Sequence, residues 1–240
     1  KKPSFPINNS VDLFYVDSKV NKKAKIVKNI LRARLMCGYA KFQKADILIG
    51  YTSLGGILAC MVTKKTNIRT LVCERSIPER YGIVYQTIRD YLYRYAEAAV
   101  LQTESIRRYF LKKVKETYVI PNMLEVSALP DVVPWEEREN TIVAVGRLDG
   151  NKNHDLLIRA FAMVKDKKDY TVLIYGDGDR KEYLSSLITE LHLDGRVFLK
   201  GYSFDVVNEI KKSRIFVLSS KCEGYPNALI EAMSIGLSCI

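Results

Sequence analysis

Two carboxylates stand eight positions apart in the segment Glu223-Gly224-Tyr225-Pro226-Asn227-Ala228-Leu229-Ile230-Glu231. The apolar run Ile215–Leu218 reads as a strand entering the loop Ser219–Glu223, and Asn227–Ile235 reads as the helix that follows. Pro226 falls near the first turn of that helix, where its missing N–H costs nothing. The free amides of the first turn then point at the carboxyl end of the strand and form a site for phosphate. A carboxylate set back from that phosphate, such as Glu231, can hold the hydroxyls of a ribose. A plainer account also fits: Glu223 is a carboxylate favoured by the helix dipole, and Glu231 a solvated helix residue.

A second segment, Val145-Gly146-Arg147-Leu148-Asp149-Gly150-Asn151-Lys152-Asn153-His154, ends an apolar strand at Gly146 and sets two cations five residues apart before the next helix. Gly146 lets backbone approach a ligand, and Arg147 and Lys152 supply charge. On one sheet with the first segment they face the same crevice, where cations and helix amides together suit a departing diphosphate. A third segment, Tyr175-Gly176-Asp177-Gly178-Asp179, lacks the third glycine of a dinucleotide fingerprint. It reads as a strand-to-helix turn with Asp179 as N-cap.

These loops need strands and helices to carry them, and the chain alternates the two. Strands are expected at Val11–Val16, Asp46–Gly50, Arg69–Cys73, Ala98–Gln102 and Thr117–Ile120, with helices near Lys22–Lys44, Leu54–Lys64, Tyr81–Ala96 and Ser105–Val114. After a polar stretch the series restarts, with strands at Thr141–Val145, Tyr170–Tyr175, Val197–Lys200 and Ile215–Leu218. Helices come between and after them at His154–Lys165, Arg180–His192, Asp205–Lys212 and Asn227–Ile235. Apolar strands alternating with helices give parallel sheets covered on both faces. The fold class is therefore α/β, two doubly wound Rossmann-like domains: 1–126, a linker at 127–140, and 141–240. The chain starts at Lys1 and stops at Ile240 in what reads as an opening strand, so it is expected to be truncated at both ends.

Bulk properties narrow the function. The 240 residues are 48% hydrophobic and 27% charged, as in ordinary globular proteins. Five widely spaced cysteines and two histidines argue against a disulfide framework or a zinc site. No apolar run reaches the ~18–20 residues of a membrane span. Net charge is +11, and residues 1–140 carry 24 Lys and Arg against 14 Asp and Glu, whereas residues 141–240 carry 14 against 13. That asymmetry assigns different partners to the two halves.

Gly146-Arg147-Leu148 with Lys152-Asn153, then Gly176-Asp177-Gly178, then Gly201, then Glu223 and Glu231-Ala232-Met233 together resemble the retaining GT-B glycosyltransferases of the "group one", glycogen-synthase-like family. The likeness is strong over Thr141–Ile240 and weaker over Asp46–Asn122, which looks like the later part of an acceptor domain. It implies transfer of a hexose or N-acetylhexosamine from a nucleotide sugar, with retention and without a metal. By the same resemblance Arg147 and Lys152 bind the donor diphosphate, Glu231 the ribose and Glu223 the transferred sugar, the catalytic set being Glu223, Arg147 and Lys152. Gly146, Gly201, Gly224, Tyr225, Pro226, Asn227 and Ala228 shape the donor site. The Gly-Tyr-Pro-Asn-Ala loop looks like that of enzymes of polysaccharide and lipid-linked oligosaccharide assembly, which often use UDP-sugars.

Many members of the family place a histidine in the acceptor domain, and here the matching loop reads Glu74-Arg75-Ser76-Ile77-Pro78-Glu79-Arg80. Glu74 or Arg75 is expected to line the acceptor cleft; a structural ion pair at a strand end is the alternative. The acceptor is expected to be a glycan or a lipid-diphosphate-linked sugar. The basic half suggests a cytoplasmic protein held peripherally at the anionic inner face of a membrane, through Lys22-Lys23-Lys25-Lys28, Arg107-Arg108 and Lys112-Lys113-Lys115 with Tyr91, Tyr93, Tyr95 or Tyr109. Nucleic acid is not expected, because the first lysine cluster fits the outer face of a helix whose core stripe is Ile26, Ile30, Leu31 and Leu35. A sugar-nucleotide-binding subunit without activity is the competing reading.

Overall fold

The computed structural model describes residues 8, 10–16, 25–124, 129–165 and 169–240. The chain forms two compact units, Lys1–Ile120 and Pro121–Ile240.

Unit 1 runs α1 (Lys25–Phe42), β1 (Ile47–Tyr51), α2 (Thr52–Thr63), β2 (Arg69–Glu74), α3 (Ile83–Tyr93), β3 (Ala98–Leu101), α4 (Glu104–Phe110) and β4 (Glu116–Val119). Its strands pair in parallel in chain order, β1-β2-β3-β4. Right-handed crossovers between successive neighbours put their helices on one face of the sheet. Burial agrees: Val72, Glu74, Ala99 and Leu101 are buried, whereas Ile47, Ile49 and Tyr51 of the opposite face are exposed. Tyr93 and Phe110 from the helices complete the core. The sheet's contact with α2 is close because Gly50 and Gly56 lack side chains: a Cβ on Gly50 would lie 2.6 Å from the Gly56 Cα.

Unit 2 runs β5 (Glu139–Val145), α5 (His154–Met163), β6 (Thr171–Tyr175), α6 (Lys181–Glu190), β7 (Val197–Gly201), α7 (Val206–Ile210), β8 (Ser213–Phe216), α8 (Asn227–Ser234) and β9 (Ser238–Cys239). The parallel sheet has the order β7-β6-β5-β8-β9. The chain therefore walks outward from β5 to β7, then returns to lay β8 on the other side of β5. The two directions place helices on opposite faces, and the core divides accordingly. Ala144, Val172 and Ile174 pack with Ile158 and Leu184, while Val143, Tyr175 and Phe216 pack with Ile210 and Ala232. The order reverses between β5 and β8, and in such sheets ligands bind at the carboxyl ends of the strands at that point.

The structure departs from the sequence expectation in four places. Residues 11–16 form no strand; the rest of the lysine-rich stretch before α1, residues 17–24, lies outside the described residues. On α1 the buried positions are Ala33 and Ala40, and Ile30, assigned to a core stripe, is 41% exposed. The expected linker belongs to unit 2 from residue 129 onward. Arg138 is buried and donates to the carbonyls of Val133, Ser213 and Ile235 at 2.8, 2.9 and 2.9 Å, while Arg214 stacks on Trp135. Polar composition there signals buried hydrogen bonding to carbonyls. Finally, Asp179 is not the cap of α6. That position is taken by Arg180, whose amide donates to the Leu148 carbonyl and whose guanidinium pairs with Asp155 at 2.9 Å. Among the described residues no helix is long and apolar enough to cross a membrane.

Candidate functional site

The loop after β5 is held by the loop after β6. The amide of Gly146 donates to Tyr175, that of Leu148 to Asp177, and that of Arg180 back to Leu148, all between 2.9 and 3.0 Å. Such backbone contact requires glycine. A Cβ on Gly176, which has φ +140°, would stand 2.0 Å from the Gly146 carbonyl oxygen, and one on Gly178 would stand 2.4 Å from that of Leu148. The Leu148 side chain is fully buried and pins the loop to the core. Gly201 joins the same lattice, its carbonyl accepting from the Gly176 amide at 2.7 Å. The glycines that carried the resemblance thus bring three strand ends into register.

Within that loop Asp149 arranges the cations. Its Oδ1 accepts the amides of Asn151 and Lys152, each at 3.0 Å, and its Oδ2 meets Arg147 Nη2 at 2.8 Å. Asn153 takes a left-handed conformation, φ 55°, to turn into α5. The methylene stem of Lys152 lies across Gly146, where a Cβ would stand 2.9 Å from Lys152 Cδ. Lys152 Nζ then reaches Glu223 Oε1 at 2.7 Å.

That ion pair spans the reversal point of the sheet, with Lys152 after β5 and Glu223 after β8. Three further bonds lace the two loops: Asn151 Nδ2 donates to the Cys222 carbonyl, Ser219 Oγ to the Lys152 carbonyl, and the Lys221 amide to the Asn151 carbonyl, at 2.8–2.9 Å. The crevice therefore presents Arg147, Lys152 and Glu223 together.

The turn into α8 is left open. The amides of Gly224, Tyr225 and Ala228 have no acceptor among the described residues, whereas the Asn227 amide folds back to Tyr225 and the Asn227 side chain accepts from Asn122. Pro226 stands at the cap position, just before the helix. Unpaired amides at a helix start attract an anion. Glu231, on the next turns, is half-buried and meets no donor among the described residues; burial pushes its carboxyl above the ordinary range. A carboxylate desolvated without compensation is costly, and a ligand's hydroxyls are the chemistry that would satisfy it.

Sequence reasoning missed three contributors. A cavity of about 530 Å³ at the ends of β5, β6 and β7 is lined by Gly146, Arg147, Tyr175 and Asp177 together with Tyr202 and Phe204. The last two rings are exposed and meet edge to face, centroids 5.0 Å apart. Their signal was two aromatics directly after a strand-ending glycine. His154 is the third: it is buried at the start of α5, and burial lowers its pKa against the carbonyls of Gly146 and Arg147. A larger cavity, about 810 Å³, lies between α6 and the edge strand β7 and contains none of these groups.

On unit 1 the expectation for Glu74 is corrected. Its carboxyl is buried, accepting from the Ser53 hydroxyl and from Tyr93 Oη. It sits under the start of α2, 1% exposed. Burial raises its pKa, opposed by those donors and the nearby charge of Arg89. Arg75 next to it is exposed. All five cysteines are free thiols, and among the described residues no group of three His, Cys, Asp or Glu side chains is placed to hold a metal.

Residues 126–240 match the family described as Glycosyl transferases group 1. The chain is 34% identical over 164 residues to an uncharacterized glycosyltransferase of Methanocaldococcus jannaschii, covering 62% of this chain and 40% of that protein. It is 26% identical over 266 residues to the UDP-Gal:alpha-D-GlcNAc-diphosphoundecaprenol alpha-1,3-galactosyltransferase of Escherichia coli, covering 98% and 67%. The structure of Anabaena HepE in complex with UDP superposes with a TM-score of 0.73 at 18% identity, covering 87% and 62%, a likeness of fold. The chain thus spans between two fifths and two thirds of these proteins. Unit 2 thus carries the group 1 glycosyltransferase family over residues 126–240, and the chain has the two-domain GT-B fold.

Proposed function

We propose that the protein transfers a hexose or N-acetylhexosamine from a nucleotide sugar, a UDP-sugar by preference, to a glycan or lipid-diphosphate-linked acceptor. The observation that carries the reading is the Lys152–Glu223 pair across the reversal of the unit 2 sheet, with Arg147 on the same loop. A donor diphosphate entering this crevice exchanges carboxylate partners for phosphate at Arg147 and Lys152. Glu223, released from Lys152, becomes an acceptor for hydroxyls of the sugar. The open amides at Gly224, Tyr225 and Ala228 face the same strand ends, Glu231 takes the ribose hydroxyls, and the cavity beside Arg147 takes the base against Tyr202 or Phe204. UDP is favoured because the similar galactosyltransferase is named for UDP-Gal and the HepE structure holds UDP.

In the transfer the bond from the anomeric carbon to the diphosphate breaks, and its electron pair goes to the leaving phosphate oxygen. Arg147 and Lys152 stabilise the charge that grows there, which lowers the barrier more than it strengthens ground-state binding. Retention puts the new bond between the acceptor oxygen and the anomeric carbon on the face the diphosphate leaves, so the acceptor O–H breaks and its proton passes to the leaving phosphate oxygen. Two cations and helix amides make a metal unnecessary, so turnover is expected to persist in excess chelator. An acceptor bearing a lipid diphosphate, as named for the galactosyltransferase, fits peripheral attachment of the basic unit 1 to a membrane's inner face.

The test is UDP release from UDP-sugars by the full-length protein, with UDP binding measured by calorimetry. Arg147→Ala and Lys152→Ala should each lower kcat/KM by about 10²–10³-fold, Lys152→Ala mainly through kcat. Wild-type turnover in both would sink the reading. UDP binding without any turnover would establish the inactive subunit instead.

A further inference from the structure

Unit 1 carries the basic excess, but three cations of the clusters expected to face a membrane are held in ion pairs. Lys113 pairs with Asp90 at 2.6 Å, Lys115 with Glu97 at 2.8 Å and Arg107 with Glu104 at 3.0 Å. Lys22 and Lys23 lie outside the described residues. Of the tyrosines named with them, Tyr93 is fully buried and Tyr109 is held by Arg89 and Asp90.

Another surface has the required character. On α3 one face is internal, formed by Arg89, Leu92 and Tyr93. The other exposes Ile83 by 74%, Val84 by 71%, Ile88 by 50% and Tyr91 by 47%. These positions lie along one side of the helix. Isolated exposed apolar residues are ordinary, but four on one helix face form a patch that marks an interaction site. Within α3 no carboxylate interrupts it: the single acid of the helix, Asp90, is turned to Arg89, Lys113 and Tyr109. Cations border it instead. Lys64 Nζ lies 5.1 Å from the Tyr91 ring centroid and 5.2 Å from that of Tyr95, and Arg94 lies 6.0 Å from Tyr91. Arg80 is exposed just before the helix.

We infer that α3 is the face by which unit 1 rests on an anionic lipid surface, with Ile83, Val84 and Ile88 entering the acyl boundary. Lys64, Arg80 and Arg94 meet lipid phosphates, and Tyr91 and Tyr95 occupy the headgroup zone, where an apolar ring with a polar tip is favoured. The inference rests on the lipid-linked acceptor proposed above and locates where such an acceptor is met. A second copy of the chain is the poorer occupant. A two-fold contact through α3 would set Lys64 and Arg94 against their own copies.

The test uses the 240-residue chain and phosphatidylcholine vesicles with and without phosphatidylglycerol. Co-sedimentation should require phosphatidylglycerol, weaken with salt, and fall at least tenfold in Ile83→Ser/Val84→Ser/Ile88→Ser, which leaves every charge in place. Binding unchanged by the triple substitution would overturn the inference in favour of diffuse charge attraction. A dimer in sedimentation velocity without lipid, dissolved by the same substitutions, would overturn it in favour of a second copy. Should the triple variant lose its thermal transition, Ile88→Trp in a Trp135→Phe background replaces it. Indole emission should shift to the blue on anionic vesicles, and an unmoved emission counts against insertion. Calorimetry with UDP runs in parallel on the wild-type chain. Absence of UDP binding there would sink the donor reading while leaving the vesicle result intact.

Discussion

Both units end their parallel strands in a loop and a helix start, yet they treat that edge differently. In unit 1 the edge is filled from within. Glu74, at the end of β2, sits under the start of α2, where it accepts from Ser53 and Tyr93. Its carboxyl lies beside the first turn of α2 through the Ser53 hydroxyl. In unit 2 the corresponding carboxylates stand apart from the helix start. Glu223 pairs with Lys152 across the sheet reversal, Glu231 meets no donor, and three amides at the α8 turn stay unpaired among the described residues. Similar architecture gives a plugged edge or a binding edge according to whether the chain supplies its own anion. The sequence signal for the difference is slight, since both edges carry Gly and Glu near the loop.

The largest test of the comparison concerns the glycines. Gly176→Ala places a Cβ 2.0 Å from the Gly146 carbonyl oxygen, on a backbone held by the hydrogen bonds of the Gly146 and Leu148 amides, at a φ of +140°. Backbone on both sides cannot yield, so the expected cost is about 4 kcal/mol or more, with loss of UDP binding. Gly56→Ala in unit 1 meets the far end of Tyr93, 2.5 Å from its hydroxyl oxygen. A side chain adjusts more readily than backbone, so chemical denaturation should show the smaller loss, about 1–3 kcal/mol. Equal losses at the two positions would contradict the distinction.

Next in size is the exchange of the two carboxylates that define the edges. Glu74→Ala strands the Ser53 and Tyr93 hydroxyls, so unfolding free energy should fall by about 2 kcal/mol. Glu231→Ala removes a desolvated carboxylate without partners and should leave stability within about 0.5 kcal/mol. UDP affinity should respond in the opposite order, weakened about tenfold or more by Glu231→Ala. A Glu74→Ala protein as stable as wild type would show that the unit 1 edge is not plugged as described.

How much of this was legible in the sequence depended on which physics carried the signal. Period and punctuation placed α2, α3, α5 and α8 and all the central strands, because apolar alternation and glycine breaks are local. The juxtaposition of the loops after β5, β6 and β8 was legible because glycines forced by backbone contact and cations after β5 leave fixed spacings. The role of Glu74 was not, because burial under α2 depends on Ser53 and Tyr93, 21 and 19 residues away. Composition also misled at residues 129–140, where polar residues bond to buried carbonyls contributed by β8 and the turn after α8. Tyr202 and Phe204 looked like loop residues until the fold set them beside Arg147.

A smaller effect would sharpen the account of how unit 2 presents its cations. Asp149 touches no ligand in the proposed reaction; it is a positioning residue, receiving two amides and Arg147. Asp149→Asn keeps one acceptor oxygen for the amides but removes the charge facing Arg147. KM for the UDP-sugar should rise about tenfold, roughly 1.4 kcal/mol, with kcat little changed. Asp149→Ala frees the turn and should lower kcat as well, since Lys152 loses the amide anchor that aims it. Identical kinetics for the two variants would mean that Asp149 acts only as a charge.

The smallest expected effect is a pair of opposed pH dependences. Burial raises the Glu74 carboxyl above its ordinary value of 4.5, so the folded state holds this proton where the unfolded chain has released it. That contribution to stability is fully present below the unfolded value and is lost as pH rises through the folded one. Burial lowers His154 from 6.5, so here the unfolded chain takes up the proton first. Its contribution is present above 6.5 and is lost as pH falls below it. Glu231, also raised by burial, leans with Glu74 and must be removed from the unit 2 measurement. In a Glu231→Gln background, His154→Leu should therefore flatten the decline of stability between pH 6.5 and more acid values, read from denaturant midpoints. Glu74→Gln should flatten the decline on the alkaline side of 4.5. A decline of the same sign at both sites would mean that His154 is protonated in the folded protein. The carbonyls of Gly146 and Arg147 would then be holding a cation beneath the crevice, and the charge offered to a diphosphate would include a third positive group.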